Sequence, residues 1–128
     1  MSFFSNFFNS SESESASKIK WRLLTDLAQL NELIELSHQQ PVVIFKHSTR
    51  CSISRFVLKS FENEYDFSEE ELLPYFLDLL SNRNISNEIT TRFEVMHQSP
   101  QILLIKDGVC VFDSSHENIH VESLRKYL

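Results

Sequence analysis

The sequence predicts a single α/β domain built on a mixed sheet, and three observations carry that prediction. The 128 residues suffice for one ordinary domain and are too few for two. Apolar stretches of strand character alternate with stretches of helical spacing, and strands separated by helices need parallel pairing. A hairpin signal, Asp107-Gly108 between two apolar runs, closes the series and adds an antiparallel edge. A hydrophobic content of 41%, including 11 Phe, supplies one sizeable core.

The elements follow in order. Residues 1–17 carry Phe3, Phe4, Phe7 and Phe8 ahead of a Ser/Glu run from Ser10 to Ser15. That run cannot bury apolar surface, so a flexible tail is expected there and a folded domain over 18–128. The phenylalanine pairs fall at helical spacing and suit a partner or a membrane surface, but they lack the accompanying basic residues. A tail that is simply mobile, or folded back on its domain, is the plainer expectation. Ile19, Trp21 and Leu23 alternate with polar residues, a short strand signal. Thr25 is the expected cap of a helix that carries Leu27, Leu30, Leu33 and Ile34 on one face and ends near His38. After Pro41, the run Val42-Val43-Ile44-Phe45 suits a central strand covered on both faces. Ser48 and Thr49 turn the chain into a helix from Cys51 to Phe61, with Ile53, Phe56, Val57 and Phe61 expected inward.

Between Glu62 and Glu71 lie six acids and no base, a solvated connection. Tyr75 to Leu80 is the next strand, and Asn84 to Phe93 a helix burying Ile85, Ile89 and Phe93. Gln101–Lys106 and Val109–Phe112 form the hairpin, and a last helix holds Val121, Leu124 and Leu128. No internal repeat is visible. Among small mixed-sheet folds, the thioredoxin fold fits the order β-α-β-α-β-α-β-β-α best.

Composition removes several function classes. Twelve basic residues against 18 acidic give a net charge of −6, the wrong balance for a nucleic-acid or anionic-membrane surface. A single Gly, where average usage predicts roughly nine, excludes a Gly-rich phosphate cradle. Two Cys make neither a disulfide framework nor an all-thiolate zinc site. His47 and Cys51 span a strand-to-loop bend, so no metal is expected. No apolar run approaches the ~18 residues of a membrane span. The N-terminus lacks the basic start and apolar length of a signal peptide. The cytoplasm is therefore the expected location and a monomer the expected state. Thiols there stay reduced, so a Cys with a role is reactive rather than structural.

Cys51 stands where the buried strand ends and a helix begins. A free thiol, with a pKa of ~8.5, is only about 3% thiolate at neutral pH. A helix start offers unpaired N–H groups and a positive dipole end, worth ~0.3–1 kcal/mol. Bringing a thiol to ~6 takes about 3.4 kcal/mol, so direct hydrogen bonds and nearby cations must supply more. Ser54 lies one turn on, where its hydroxyl can donate to the sulfur, and Arg50, Lys46 and His47 are candidate positive neighbours. Cys51-Ser52-Ile53-Ser54 has the frame of a dithiol C-x-x-C site with the second Cys replaced by Ser. Such a site attacks a mixed disulfide, keeps the small thiol on Cys51 and waits for a second thiol, a monothiol cycle. Ser99-Pro100 directly precedes a strand, where the thioredoxin fold keeps a cis-proline facing the reactive sulfur. The Ser99 backbone is then free to pair with a bound peptide or thiol, with His97 and Gln98 lining the same groove.

Two segments, Pro41 to Ser54 and Ser99 to Gly108, resemble the monothiol bacilliredoxins of the bacillithiol system, YtxJ type. The resemblance covers roughly Lys18 onwards. It implies removal of bacillithiol from protein mixed disulfides, with bacillithiol as co-substrate, S-thiolated proteins as clients and no permanently bound cofactor. Cys51 takes the nucleophile's place in the family's T-C-P-I-S-like motif and Ser54 the motif's last position. Ser52 stands where Pro is frequent, which leaves the first turn less rigid. Arg50 stands where Thr is frequent, and adds a charge able to pair with a carboxylate of the thiol. Thr49, Arg50, His97, Ser99 and Pro100 are the expected substrate-binding residues. The residues themselves fit glutathione or coenzyme A as well as bacillithiol.

Other readings remain beside this one. Ser48, three before Cys51, loosely matches a peroxidatic T-x-x-C, but the upstream proline is missing. A non-catalytic binding module would not need Cys51 at all. Iron–sulfur carriage of the C-G-F-S kind lacks its Gly and Phe, replaced by Ser52 and Ile53. Cys110, among Val109, Val111 and Phe112, reads as a small packed residue rather than a resolving thiol.

Overall fold

The computed structural model describes residues 19–128, so the expected tail and its phenylalanine pairs lie outside the described residues. Five strands, β1 (Arg22–Leu23), β2 (Val42–His47), β3 (Leu73–Asp78), β4 (Gln101–Lys106) and β5 (Val109–Ser115), form one sheet. Three helices, α1 (Leu27–Leu36), α2 (Ser52–Glu64) and α3 (Arg83–Phe93), separate the first four strands. Two 3₁₀ segments, His116–Asn118 and Val121–Tyr127, end the chain. The strand order is β1-β3-β2-β4-β5, with β1, β3 and β2 parallel and β4 and β5 antiparallel. The expected order and mixed pairing both hold.

Strand β2 is buried along its whole length because each face meets a helical layer. Val42 and Ile44 point to a core shared with Leu30 and Leu33 of α1 and Ile85, Ile89 and Phe93 of α3. Val43 and Phe45 point the other way, to Val57 and Phe61 of α2 and to Val121 and Leu124 of the C-terminal segment. Trp21 closes this second layer, its ring against Phe45, Phe61 and Phe76 and its Nε1–H donated to Glu62 at 2.7 Å. The hairpin turn has positive φ at both Asp107 (52°) and Gly108 (79°), the conformation that matches the twist of paired strands.

Several expectations are corrected. Asp26, not Thr25, is the N-cap of α1, since its carboxylate accepts the Gln29 N–H while the Gln29 side chain reaches back to the cap. Strand β3 starts at Leu73 and stops at Asp78, earlier at both ends than Tyr75 to Leu80. Pro74 is tolerated near the strand's start, beyond the reach of β1, and the Asp78 carboxylate turns the chain by accepting the Leu80 N–H. The last element is 3₁₀ rather than α, and Leu128 is exposed. Leu23 is exposed too, on the outer two-residue strand. On α2, Ile53 and Phe56 face solvent at 47% and 75% exposure, while Val57 and Phe61 are inward as expected and Ser54 joins them. One face of a helix passes through residues three and four apart, and Ser54-Val57-Phe61 follows that spacing.

Candidate functional site

Strand β2 delivers the chain to the site. After His47 the chain turns through Ser48, Thr49 and Arg50, and the Cys51 N–H closes onto the Ser48 carbonyl at 3.2 Å. Cys51 is the N-cap of α2, with extended dihedrals and a half-buried side chain. Its carbonyl accepts the first helical bond, from the Arg55 N–H at 3.1 Å. An N-cap side chain occupies the position from which an oxygen would accept the N–H of the second or third helical residue, here Ile53 and Ser54. The Cys51 side chain makes no such cap hydrogen bond, so what the helix offers its sulfur is the positive end of the dipole.

Three of the four neighbours expected to serve this sulfur are engaged elsewhere. Ser54 is fully buried, and its hydroxyl lies 2.8 Å from His47 Nδ1 while accepting the Ser48 N–H at 3.1 Å. A buried hydroxyl takes the polar partners at hand. Among the described residues Ser54 makes no hydrogen bond to Cys51; it ties the first turn of α2 to the end of β2. The His47 ring is buried against Phe76, 5.4 Å between centroids. Burial pushes its pKa below the usual histidine range, more than the Asp78 carboxylate raises it, so the ring is neutral at pH 7. Lys46 is wholly buried, its ammonium 2.8 Å from His97 Nδ1 and 2.9 Å from Gln101 Oε1. Burial lowers its pKa to about 8.

Arg50 is exposed in the turn, as is Thr49, whose carbonyl accepts from the Arg55 guanidinium at 3.1 Å. Arg55 is a cation the sequence reading missed. Its spacing of four from Cys51 on a helix was the available signal, because such residues share a face.

The antiparallel register sets Gln101 level with Lys46, so the segment before β4 arrives at the end of the sheet from which Cys51 departs. The Ser99–Pro100 bond is cis, and the Pro100 carbonyl accepts the His116 N–H at 2.9 Å. Ser99 Oγ is buried with no hydrogen-bond partner among the described residues. His97 is exposed and Gln98 half-buried beside them.

Cys110 belongs to the opposite end. It pairs with Ile105, which pairs with Val42, the first residue of β2. The length of β2, about 16 Å at 3.3 Å per residue, separates that level from the turn that carries Cys51. A disulfide needs Cα atoms within ~7 Å. Burial pushes the Cys110 thiol up to about 11, and its Sγ donates to the Phe112 carbonyl at 3.3 Å. Among the described residues no three His, Cys, Asp or Glu side chains gather as a metal site requires.

Solved structures share this architecture, three of them as follows. One, described as having a thioredoxin fold, superposes with a TM-score of 0.70 and 29% identity over 81% of this chain and 89% of its own. The thioredoxin of Malassezia sympodialis, Mala s 13, gives 0.67 at 14% identity, over 91% of this chain and 95% of its own. Fasciola hepatica thioredoxin gives 0.63 at 22% identity, over 83% of this chain and 94% of its own. The two thioredoxins speak to the fold alone, which is thioredoxin-like. A family model described as monothiol bacilliredoxin BrxC matches residues 22–124. With the match running from β1 almost to the C-terminus, the chain belongs to the monothiol bacilliredoxin family.

Proposed function

We propose that this protein is a cytoplasmic, monomeric thiol–disulfide oxidoreductase that removes a low-molecular-weight thiol, bacillithiol, from protein mixed disulfides. The Cys51 thiolate attacks the small-thiol sulfur. A disulfide forms between that sulfur and Cys51 Sγ, and the bond to the client sulfur breaks. The client sulfur leaves with the electron pair and takes a proton from solvent. A second small thiol then attacks the adduct, forms the symmetrical small-thiol disulfide and frees Cys51.

The observation that carries this reading is Cys51 at the N-cap of α2, half-buried, with the other cysteine at the far end of the sheet. Without a thiol in reach, the enzyme cannot close its own disulfide, so the intermediate must await an outside thiol. Arg50 and Arg55 supply positive charge along the outer side of the turn. Ser54 supports the nucleophile by anchoring the first helical turn. Thr49, Arg50, His97, Ser99 and Pro100 form the groove for the mixed disulfide. Bacillithiol rests on family membership, since a cationic rim suits any anionic small thiol.

Intact-mass spectrometry tests the reading. After incubation with a bacillithiolated client, the wild-type protein should gain one bacillithiol mass on Cys51 while the client loses it. The Cys51→Ser variant should gain none and Cys110→Ser should behave as wild type. A client that keeps its adduct in the presence of wild-type protein contradicts the proposal.

A further inference from the structure

Lys46 is the one lysine or arginine buried among the described residues, and of its two partners His97 belongs to the groove and Gln101 to the buried start of β4. Its ammonium donates to His97 Nδ1 at 2.8 Å and to Gln101 Oε1 at 2.9 Å. The same Gln101 oxygen accepts the Gln98 N–H at 3.3 Å, and the Gln101 amide donates to the Met96 carbonyl at 3.1 Å. Three consecutive residues before Ser99, namely Met96, His97 and Gln98, are therefore held by one lysine–glutamine pair. An ammonium has donors only. His97 Nδ1 must accept, so the neutral ring carries its proton on Nε2. A proton on Nδ1 would set an N–H against the ammonium. His97 is held below the usual histidine range by partial desolvation of its ring, by Lys46 and by Arg83 of α3. The carboxylate at this end of β3, Asp78, pairs in register with His47 and acts on that ring.

We propose that Lys46 is a positioning residue: its buried ammonium fixes His97 in the Nε2–H form and clamps residues 96–98, so that His97 presents a neutral hydrogen-bond donor to the client sulfur as it leaves. The inference rests on the exchange reading above. The departing sulfur takes the electron pair of the broken S–S bond, and His97 Nε2–H hydrogen-bonds to it without giving up its proton. The device works while Lys46 is charged and relaxes above about pH 8, where a neutral amine can also accept and both ring tautomers become possible.

Nitrogen-15 NMR of the full-chain imidazoles, paired with exchange rates on a bacillithiolated client, tests this. Wild-type His97 should show the Nε2–H tautomer at pH 7, and its ring shifts should move with a midpoint near 8. Lys46→Met should mix the tautomers at pH 7, lose that midpoint and slow exchange roughly tenfold, about 1.4 kcal/mol. Lys46→Arg, a permanent donor, should restore the tautomer. A Lys46→Met protein that keeps the Nε2–H form, or exchanges within twofold of wild type, overturns the inference while exchange itself stands. If Lys46→Met fails to fold, wild-type shifts that do not change between pH 7 and pH 9.5 overturn it. A wild-type protein that never forms the Cys51 adduct overturns the exchange reading and this inference with it.

Discussion

Lys46 and Cys110 each carry an ionisation that burial has displaced, and each gives a prediction of known sign. Lys46 falls from 10.5 to about 8 in the folded protein. Between those values the unfolded chain holds the proton more tightly, so the burden of burying the charge is complete below pH 8 and gone above 10.5. The shift corresponds to a burden on the order of 3 kcal/mol. The stability of Lys46→Met relative to wild type should therefore decline by that order between pH 7.5 and pH 10.5, read from urea unfolding of both proteins. A difference independent of pH would mean that Lys46 is not shifted. Cys110, raised to about 11 by burial, should resist iodoacetamide at pH 8.5 under native conditions and react once unfolded. Peptide mapping distinguishes it from Cys51. Rapid native labelling of Cys110 would contradict its packing.

At the scale of elements, α2 shows what the sequence can and cannot disclose. Its start at Cys51 is legible because a β-branched run ends and an apolar helical spacing begins there. Which apolar residues turn inward is not, since Ile53, Phe56, Val57 and Phe61 fit two overlapping faces. The choice falls to Ser54, whose buried hydroxyl finds His47 and Ser48. A serine seldom marks a buried face in a sequence, but a folded chain buries one readily when its hydrogen bonds are met. Phe61→Ala should cost about 3–5 kcal/mol and Phe56→Ala about 0.5 or less, by chemical denaturation. Equal costs would put Phe56 back in the core. Lys46 was not legible: the sequence offers it as a cation beside Cys51, whereas the strand runs on through it and buries it. His97 and Gln101, some fifty residues away, could be joined to it only by the register of β2 and β4. The hairpin was the clearest element, because Asp107-Gly108 is the dipeptide its positive φ angles favour.

For the whole molecule, the order of strands and helices follows from periodicity, and the two-layer core follows from the order. Alternating residues of β2 serve α1 and α3 on one side and α2 with the C-terminal segment on the other. That arrangement brings the end of β2, the start of α2 and the loop before β4 to one end of the strands. The second cysteine stays at the other end. The place of Cys51 at a helix start was legible from local sequence, whereas its surroundings were not, because Ser54, His47 and Lys46 all turn into the interior. What remains at the sulfur is the helix start itself, with Arg50 and Arg55 outside. The central claim is that this seat makes Cys51 an accessible and activated sulfur. Its direct measure is the rate of iodoacetamide alkylation at pH 6, compared with a cysteine in an unstructured peptide. The account predicts that Cys51 reacts about two- to fivefold faster, the factor that ~0.3–1 kcal/mol from the helix start supplies. A rate equal to that of the peptide, or slower, would contradict it.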